Sequence, residues 1–162
     1  MTPASTASSS RLLWCTLVGG WSLVFAAPHF YWALGGRAGL GAQAAAADAA
    51  LQQSWFAIYN LAAGGLGVLG AVVGVVVATR WGGRRVHRWL LVAATVARVV
   101  LLLRGALGLT LLGVSVLSGT FDEQTPVVLL AIEPWFVLGG LAFGGMTLGQ
   151  RKKPAVVGAL SQ

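Results

Sequence analysis

The 162-residue chain has very little charge, since only 9% of its residues are Asp, Glu, Lys or Arg. A soluble domain carries about a quarter charged residues, so this chain lacks the groups that solvate an ordinary surface. Low charge together with 57% hydrophobic residues also excludes intrinsic disorder. Apolar stretches of about 20 residues recur along the chain, and this length crosses a bilayer as a helix. The composition therefore predicts an integral membrane protein.

Cysteine is almost absent as well. Cys15 is the single cysteine, which excludes an internal disulfide and a thiolate metal cluster. It lies in an apolar run beside Trp14, where we expect a small buried hydrophobic residue. The many glycines also lie within apolar runs, so neither a phosphate-binding loop nor a nucleophile elbow is present. The sequence therefore predicts no cofactor and no metal site.

Four apolar runs are long enough to span a membrane, and they cover residues 12–34, 55–79, 89–116 and 127–149. We predict an all-α fold, in which residues 12–149 form one four-helix membrane bundle between a polar tail (1–11) and a basic tail (150–162). The first run could be a signal peptide, but it continues past Pro28 and favours a retained helix. The Ala-rich segment 42–53 is too polar to span, and we expect a loop there with a short helix outside the membrane or at its interface.

The basic residues predict the orientation of the bundle. Four arginines lie in the Arg80–Arg88 connection and three basic residues in the C-terminal tail, whereas the connection 119–125 carries Asp122, Glu123 and no basic residue. The positive-inside rule then puts both termini in the cytoplasm. Because the net charge of +7 is concentrated in these segments, we expect no nucleic-acid partner. The expected partners are membrane lipids, a second copy of the chain or another membrane protein.

Small residues and aromatic residues predict how the helices pack. Glycines spaced four apart let helix backbones approach closely in a membrane. Three such pairs occur, namely Gly70–Gly74, Gly140–Gly144 and Gly145–Gly149. On the first helix, aromatic rings recur at helical spacing and predict a stripe that faces the other helices. The stripe consists of Trp14, Trp21, Phe25, His29 and Trp32.

Four ionisable residues lie inside the predicted spans, and such residues are functional candidates because charge at bilayer depth is costly. At about 1.5 Å per residue, Arg104 lies about 22 Å from the inner surface and His29 about 26 Å. Glu133 enters from the other side and lies about 9 Å below the outer surface, at the level of Arg104 in a slab about 30 Å thick. We predict that Arg104 pairs with Glu133 in the outer half of the bundle. His29 and Asn60, which arrives at a comparable level, would supply neutral hydrogen bonds.

Arg98 is a secondary candidate, because it lies about 120° around the helix from Arg104 and nearer the inner surface. If its side chain reaches the cytoplasmic headgroups, it takes no part in the cluster. If it points inward, the surplus positive charge suits an anionic ligand.

These residues predict a non-enzymatic membrane protein that binds a small amphipathic or lipid-like ligand. The expected pocket residues are His29, Tyr31, Trp32, Asn60, Arg104 and Glu133. One alternative is a membrane enzyme that acts on a lipid or isoprenoid, with His29 and Glu133 as a proton-transfer pair. Another is an accessory or structural subunit of a membrane complex. In a third, the ion pair only fixes helix packing.

The segment His29-Phe30-Tyr31-Trp32-Ala33-Leu34-Gly35-Gly36 resembles a motif of a bacterial family catalogued as domain of unknown function 3995. The resemblance implies a small four-span protein of the bacterial plasma membrane, with this motif at the end of the first span and an arginine in the third. It also implies that the first helix is retained. It implies no activity, but it selects His29 and the arginine of the third span, which the depth estimates select independently.

Overall fold

The structure, a computed structural model, describes residues 3–40, 44–119 and 127–150. Within these ranges it is all-helical, as predicted. The helices are α1 (Pro3–Ala33), α2 (Ala44–Leu51), α3 (Ser54–Thr79), α4 (Arg84–Leu117) and α5 (Val127–Gly149). Helices α1, α3, α4 and α5 each contain a stretch long and apolar enough to cross a membrane. The short α2 lies in the Ala-rich segment, where the sequence predicts a short helix.

The helix bounds differ from the prediction mainly at the starts of α1 and α4. Helix α1 begins at Pro3, inside the segment expected to be a polar tail, although its apolar span begins only at Ser9. Helix α4 begins at Arg84 rather than at residue 89, because arginine is a good helix former and hydrophobicity alone does not mark the helix start. The connection with Asp122 and Glu123, and the basic tail after residue 150, lie outside the described residues.

Helix α1 is the centre of the bundle. It packs along α3 on one side and along α5 on the other, α4 packs on α5, and α3 and α4 barely touch. The packing of α1 and α3 is antiparallel, because Cys15 lies against Gly74 while Phe30 lies against Gly64. Helix α5 is antiparallel to α1, because Trp14 lies against Gly145 while Trp21 lies against Gly139. It is also antiparallel to α4, because Arg98 lies against Gly144 while Leu102 lies against Gly140.

Glycine allows the close approach of α1 and α3. A Cβ atom added at Gly67 would lie 2.8 Å from the Ser22 carbonyl oxygen, and one at Gly74 would lie 2.9 Å from the Cys15 carbonyl oxygen. The predicted partner Gly70 also lies against Ser22. Backbones so close together pack through dispersion contacts, which replace the hydrophobic effect as the driving force inside a bilayer.

Not every glycine of the two predicted pairs on α5 contacts another helix. Gly140 and Gly144 face α4, and Gly145 holds the ring of Trp14 of α1. A Cβ atom added at Gly149 would have no neighbour within 4 Å, so in the pair Gly145–Gly149 only Gly145 contacts another helix. A core of buried side chains from all four long helices lies nearby and comprises Cys15, Val18, Val77, Ala94, Ala142, Phe143 and Met146.

Candidate functional site

Arg104 of α4 and Glu133 of α5 form a two-point ion pair. The Arg104 Nη1 atom donates to Glu133 Oε2 at 2.5 Å, and Nη2 donates to Oε1 at 2.9 Å. Parallel hydrogen bonds of this kind fix the plane of the guanidinium relative to the carboxylate. The structure thus brings together the two charges that the depth estimates place at one level.

The pair lies beside two glycines of α4. A Cβ atom at Gly108 would overlap the Glu133 carboxylate, and one at Gly105 would lie 2.6 Å from Val137 Cγ2. Because glycine has no side chain, Gly105 and Gly108 leave a notch in the surface of α4, and the Glu133 carboxylate lies in it. As a result, the Glu133 side chain is only 13% exposed.

Arg104 is much more open than its partner. Its side chain is 45% exposed, and its Cζ atom lies 4.9 Å from the centroid of the Phe136 ring. The carboxylate occupies one edge of the guanidinium and the Phe136 ring lies over one face, and the guanidinium has further N–H groups that make no described hydrogen bond. An unpaired N–H group is costly wherever it meets hydrocarbon.

A continuous row of rings leads from the ion pair to α3, and we call it the aromatic row: Phe136, Phe25, His29, Trp32 and Tyr59. The ring centroids of Phe136 and Phe25 are 6.1 Å apart, and those of Phe25 and His29 are 4.3 Å apart. His29 contacts Trp32 at 5.5 Å and Tyr59 at 6.4 Å. The row therefore connects α5, α1 and α3, and the guanidinium of α4 stands at its end.

His29 has a defined hydrogen-bond role in this row. Its Nδ1 atom lies 2.7 Å from the Phe25 carbonyl oxygen; a carbonyl only accepts, so Nδ1 donates and Nε2 is the acceptor of a neutral ring. No described contact joins His29 to Glu133, whose two oxygens accept from Arg104. This arrangement gives no support to a His29–Glu133 proton-transfer pair. Within the described ranges, no three His, Cys, Asp or Glu side chains gather as metal ligands would.

Asn60 is buried on α3, one residue beyond Tyr59. Only 1% of it is exposed, and its Nδ2 atom donates to the Phe56 carbonyl oxygen of its own helix at 2.8 Å. The Asn60 amide thus has a hydrogen-bond partner within its own helix and does not depend on Arg104 or Glu133 for one. Asn60 follows Tyr59 of the aromatic row in sequence, and no described hydrogen bond joins it to Arg104.

Tyr31 and Trp32 hold the turn that ends α1. Gly35 has a φ of +90°, a left-handed conformation that glycine adopts without strain, and a Cβ at Gly36 would overlap the Tyr31 ring. The Trp32 Nε1 atom donates to the Ala38 carbonyl oxygen at 2.8 Å, and the Ala38 amide donates to the Tyr31 hydroxyl at 3.3 Å. The polar atoms of both side chains are therefore engaged by the turn.

Arg98 does not join the pair. Its half-buried side chain lies across Gly144 of α5, where an added Cβ would come within 3.1 Å of Nε. The secondary candidate therefore lines the α4–α5 interface.

Sequence reasoning missed two supports of the pair, Phe136 and Gly108. Phe136 follows Glu133 by three residues and Gly108 follows Arg104 by four. Residues at these spacings share one helix face, so the positions flanking each charge could have been identified from the sequence.

It also missed the bond between α1 and α5. The Trp21 indole N–H donates to the Trp135 carbonyl oxygen at 2.9 Å, and a Cβ at Gly139 would overlap the Trp21 ring. Trp21 also stacks on Phe25 with a centroid distance of 5.3 Å. Hydropathy and spacing place Trp21 on the stripe, but they carry no information on which carbonyl its N–H meets.

A model of the DUF3995 family, described as proteins of unknown function, matches residues 22–143. The chain belongs to the DUF3995 family. Membership confirms the family named from residues 29–36, and the matched range includes every candidate residue from His29 to Glu133. No curated protein and no solved structure matches the chain.

Proposed function

We propose that this DUF3995 protein binds a small amphipathic or lipid-like ligand at the Arg104–Glu133 pair, within the bacterial plasma membrane. The observation that carries the proposal is the unequal burial of the two charges, with Arg104 45% and Glu133 13% exposed. An ion pair that only fixed helix packing would shelter both partners from hydrocarbon. Here the guanidinium is held rigidly and left open on one side.

The charge of the pair defines the chemistry of the ligand. Glu133 already compensates the charge of Arg104, so a second anion would find no net attraction at this level. The free N–H groups still require an acceptor in a medium without water. A neutral oxygen, such as a hydroxyl or an ester carbonyl on an apolar body, meets both conditions.

The aromatic row supplies the apolar walls of the proposed site. Phe136 packs on the guanidinium and Phe25 continues the surface to His29. Tyr31 and Asn60 act indirectly in this proposal, since Tyr31 fixes the turn after α1 and the Asn60 amide bonds within α3.

A thermal-stability assay on the purified protein tests the proposal with two probes, dioleoylglycerol and squalene. Both are apolar, but only dioleoylglycerol carries hydroxyl and ester oxygens. We expect it alone to raise Tm, because a ligand at about 100 times its Kd stabilises the folded state by about 2.7 kcal/mol. The Arg104→Gln variant should lose this increment.

Two further variants make the result decisive. Arg104→Gln/Glu133→Gln removes both charges, so that no unpaired carboxylate is left to destabilise the bundle, and it should also lose the increment. Thr110→Val is the control, because the Thr110 hydroxyl donates to the Ala106 carbonyl oxygen of its own helix and lies outside the pair. An equal increment with squalene, or one retained by Arg104→Gln, would contradict the proposal.

A further inference from the structure

We infer a second binding site, for the headgroup of an anionic phospholipid, at the end of the molecule where α4 begins and α5 ends. An open groove of about 500 Å³ lies there between the two helices. It lies on the opposite side of Arg98 from the Arg104–Glu133 pair along α4, so it is separate from the site proposed above.

The mouth of the groove is cationic. Arg84, His87 and Arg88 line it from the first turns of α4, where spacings of three and four residues put them on one helix face. Arg85, between them in sequence, does not line the groove. Among the described residues, no carboxylate pairs with either lining arginine. The mouth thus offers uncompensated positive charge.

Below the mouth, the wall of the groove becomes apolar. Leu91, Val92 and Val96 continue the same face of α4. From Arg84 to Val96 the groove runs about 18 Å at 1.5 Å per residue, comparable with one leaflet of a bilayer whose hydrocarbon core is about 30 Å thick. Charge followed by apolar surface along one line is the order in which a phospholipid presents its headgroup and acyl chain.

The α5 side supplies an unused donor. Gln150 lines the groove, and its Nε2 atom is buried without a hydrogen-bond partner. The neighbouring hydroxyls are engaged already, since Thr147 Oγ1 donates to the Phe143 carbonyl oxygen and Thr95 Oγ1 to that of Leu91. A buried amide without a partner is costly, and rotation of the Gln150 side chain into the groove would bring its amide to a phosphate or ester oxygen.

The charge pattern selects a lipid over other occupants. The C-terminal segment that follows Gln150 begins Arg-Lys-Lys, so it would add positive charge to a cationic mouth. Free inorganic phosphate would leave the apolar wall uncovered. An anionic phospholipid complements the mouth, the wall and the amide together.

Native mass spectrometry of the detergent-purified protein, titrated with phosphatidylglycerol, measures this site directly. We expect one tightly retained lipid, with phosphatidylcholine binding more weakly. Arg88→Gln should raise the Kd for phosphatidylglycerol about fivefold, since one basic residue at a membrane surface contributes about 1 kcal/mol. Arg85→Gln is the matched control, because it removes the same charge outside the groove and should change Kd less than about twofold.

A second pair of variants tests the apolar wall. Val92→Trp fills the groove and should abolish retention of the lipid, whereas Val100→Trp, two turns further along α4 at another exposed position, should not. Equal weakening by Arg88→Gln and Arg85→Gln would show diffuse surface attraction and overturn the inference. Full competition by glycerol phosphate, or lipid retention in Val92→Trp, would overturn it as well.

Discussion

At the scale of single residues, the candidate site depends on a glycine at position 108, which has no side chain. Glu133 reaches the surface of α4 because position 108 is a glycine, and a Cβ atom there would overlap its carboxylate. The same carboxylate holds both terminal nitrogens of Arg104. One glycine therefore determines whether the charges meet in the observed geometry.

We predict that Gly108→Ala destabilises the protein by about 1–3 kcal/mol, the usual effect of overpacking a tight contact. The alanine methyl group would displace the carboxylate and break the two-point pair. The measurement is Tm in detergent, together with the dioleoylglycerol increment, which should also fall.

Gly113→Ala is the control for this substitution. Gly113 lies on the same helix with no neighbour within 4 Å of an added Cβ, so alanine there should be neutral or stabilising by up to about 1 kcal/mol through helix propensity. Equal losses in both variants would mean that the notch at Gly108 has no special role.

At the scale of the helices, α1 holds the bundle together. It contacts α3 through glycines and α5 through aromatic rings set against glycines, with Trp21 over Gly139 and Trp14 over Gly145. Only Trp21 adds a described hydrogen bond across this interface, to the Trp135 carbonyl oxygen. The α1–α5 contact therefore combines ring packing with one directional bond.

Trp21→Phe should cost more than Trp14→Phe by about 0.6 kcal/mol, and at most by about 1.7, which is the measured range for hydrogen bonds between membrane helices. Both substitutions reduce ring packing, but only Trp21→Phe removes a described N–H donor. Unfolding in a denaturing detergent gives the free-energy difference. Trp14→Phe makes the same exchange without a described hydrogen bond, and the loss attributable to the bond is the difference between the two variants.

The helices themselves could be predicted from the sequence, because each long apolar run has only one way to satisfy its backbone in hydrocarbon. The ends of α3 and α5 agree with the prediction closely. The start of α4 does not, because Arg84 and Arg88 are polar yet helical. Hydropathy marks the edge of the membrane, and a helix can continue beyond that edge.

The candidate site was predictable only in part. Depth along two helices places Arg104 and Glu133 at one level, but it does not fix which helices are neighbours or which way a side chain turns. Asn60 lies at a similar level and yet donates to its own helix. Rotation about each helix axis depends on packing, and packing at positions such as Gly139 depends on partners distant in sequence.

At the scale of the whole molecule, charge is distributed unevenly between the two ends. The lining arginines of the groove lie at the end where α4 begins, together with Arg80 and Arg85. The opposite end carries α2, where Arg37 pairs with Asp48 at 2.7 Å. The positive-inside rule predicts that the arginine-rich end faces the cytoplasm.

Cysteine labelling of intact cells tests this orientation. In a Cys15→Ala background, Asp48→Cys should react with a membrane-impermeant maleimide from outside, and Arg85→Cys should react only after the membrane is opened. If both positions reacted from the same face of the membrane, the helices could not cross it in alternating directions. The assignment of both termini to the cytoplasm would then be wrong as well.

Because α3 and α4 make few contacts, the bundle is open between these two helices. Under the function proposed above, the half-open Arg104 side chain would let a solute dissolved in the leaflet reach the guanidinium from the side, by a search confined to two dimensions. Occupancy would then follow the concentration of the solute within the bilayer. Affinities expressed per volume of water would change with the amount of lipid present, even when the protein itself is unaltered.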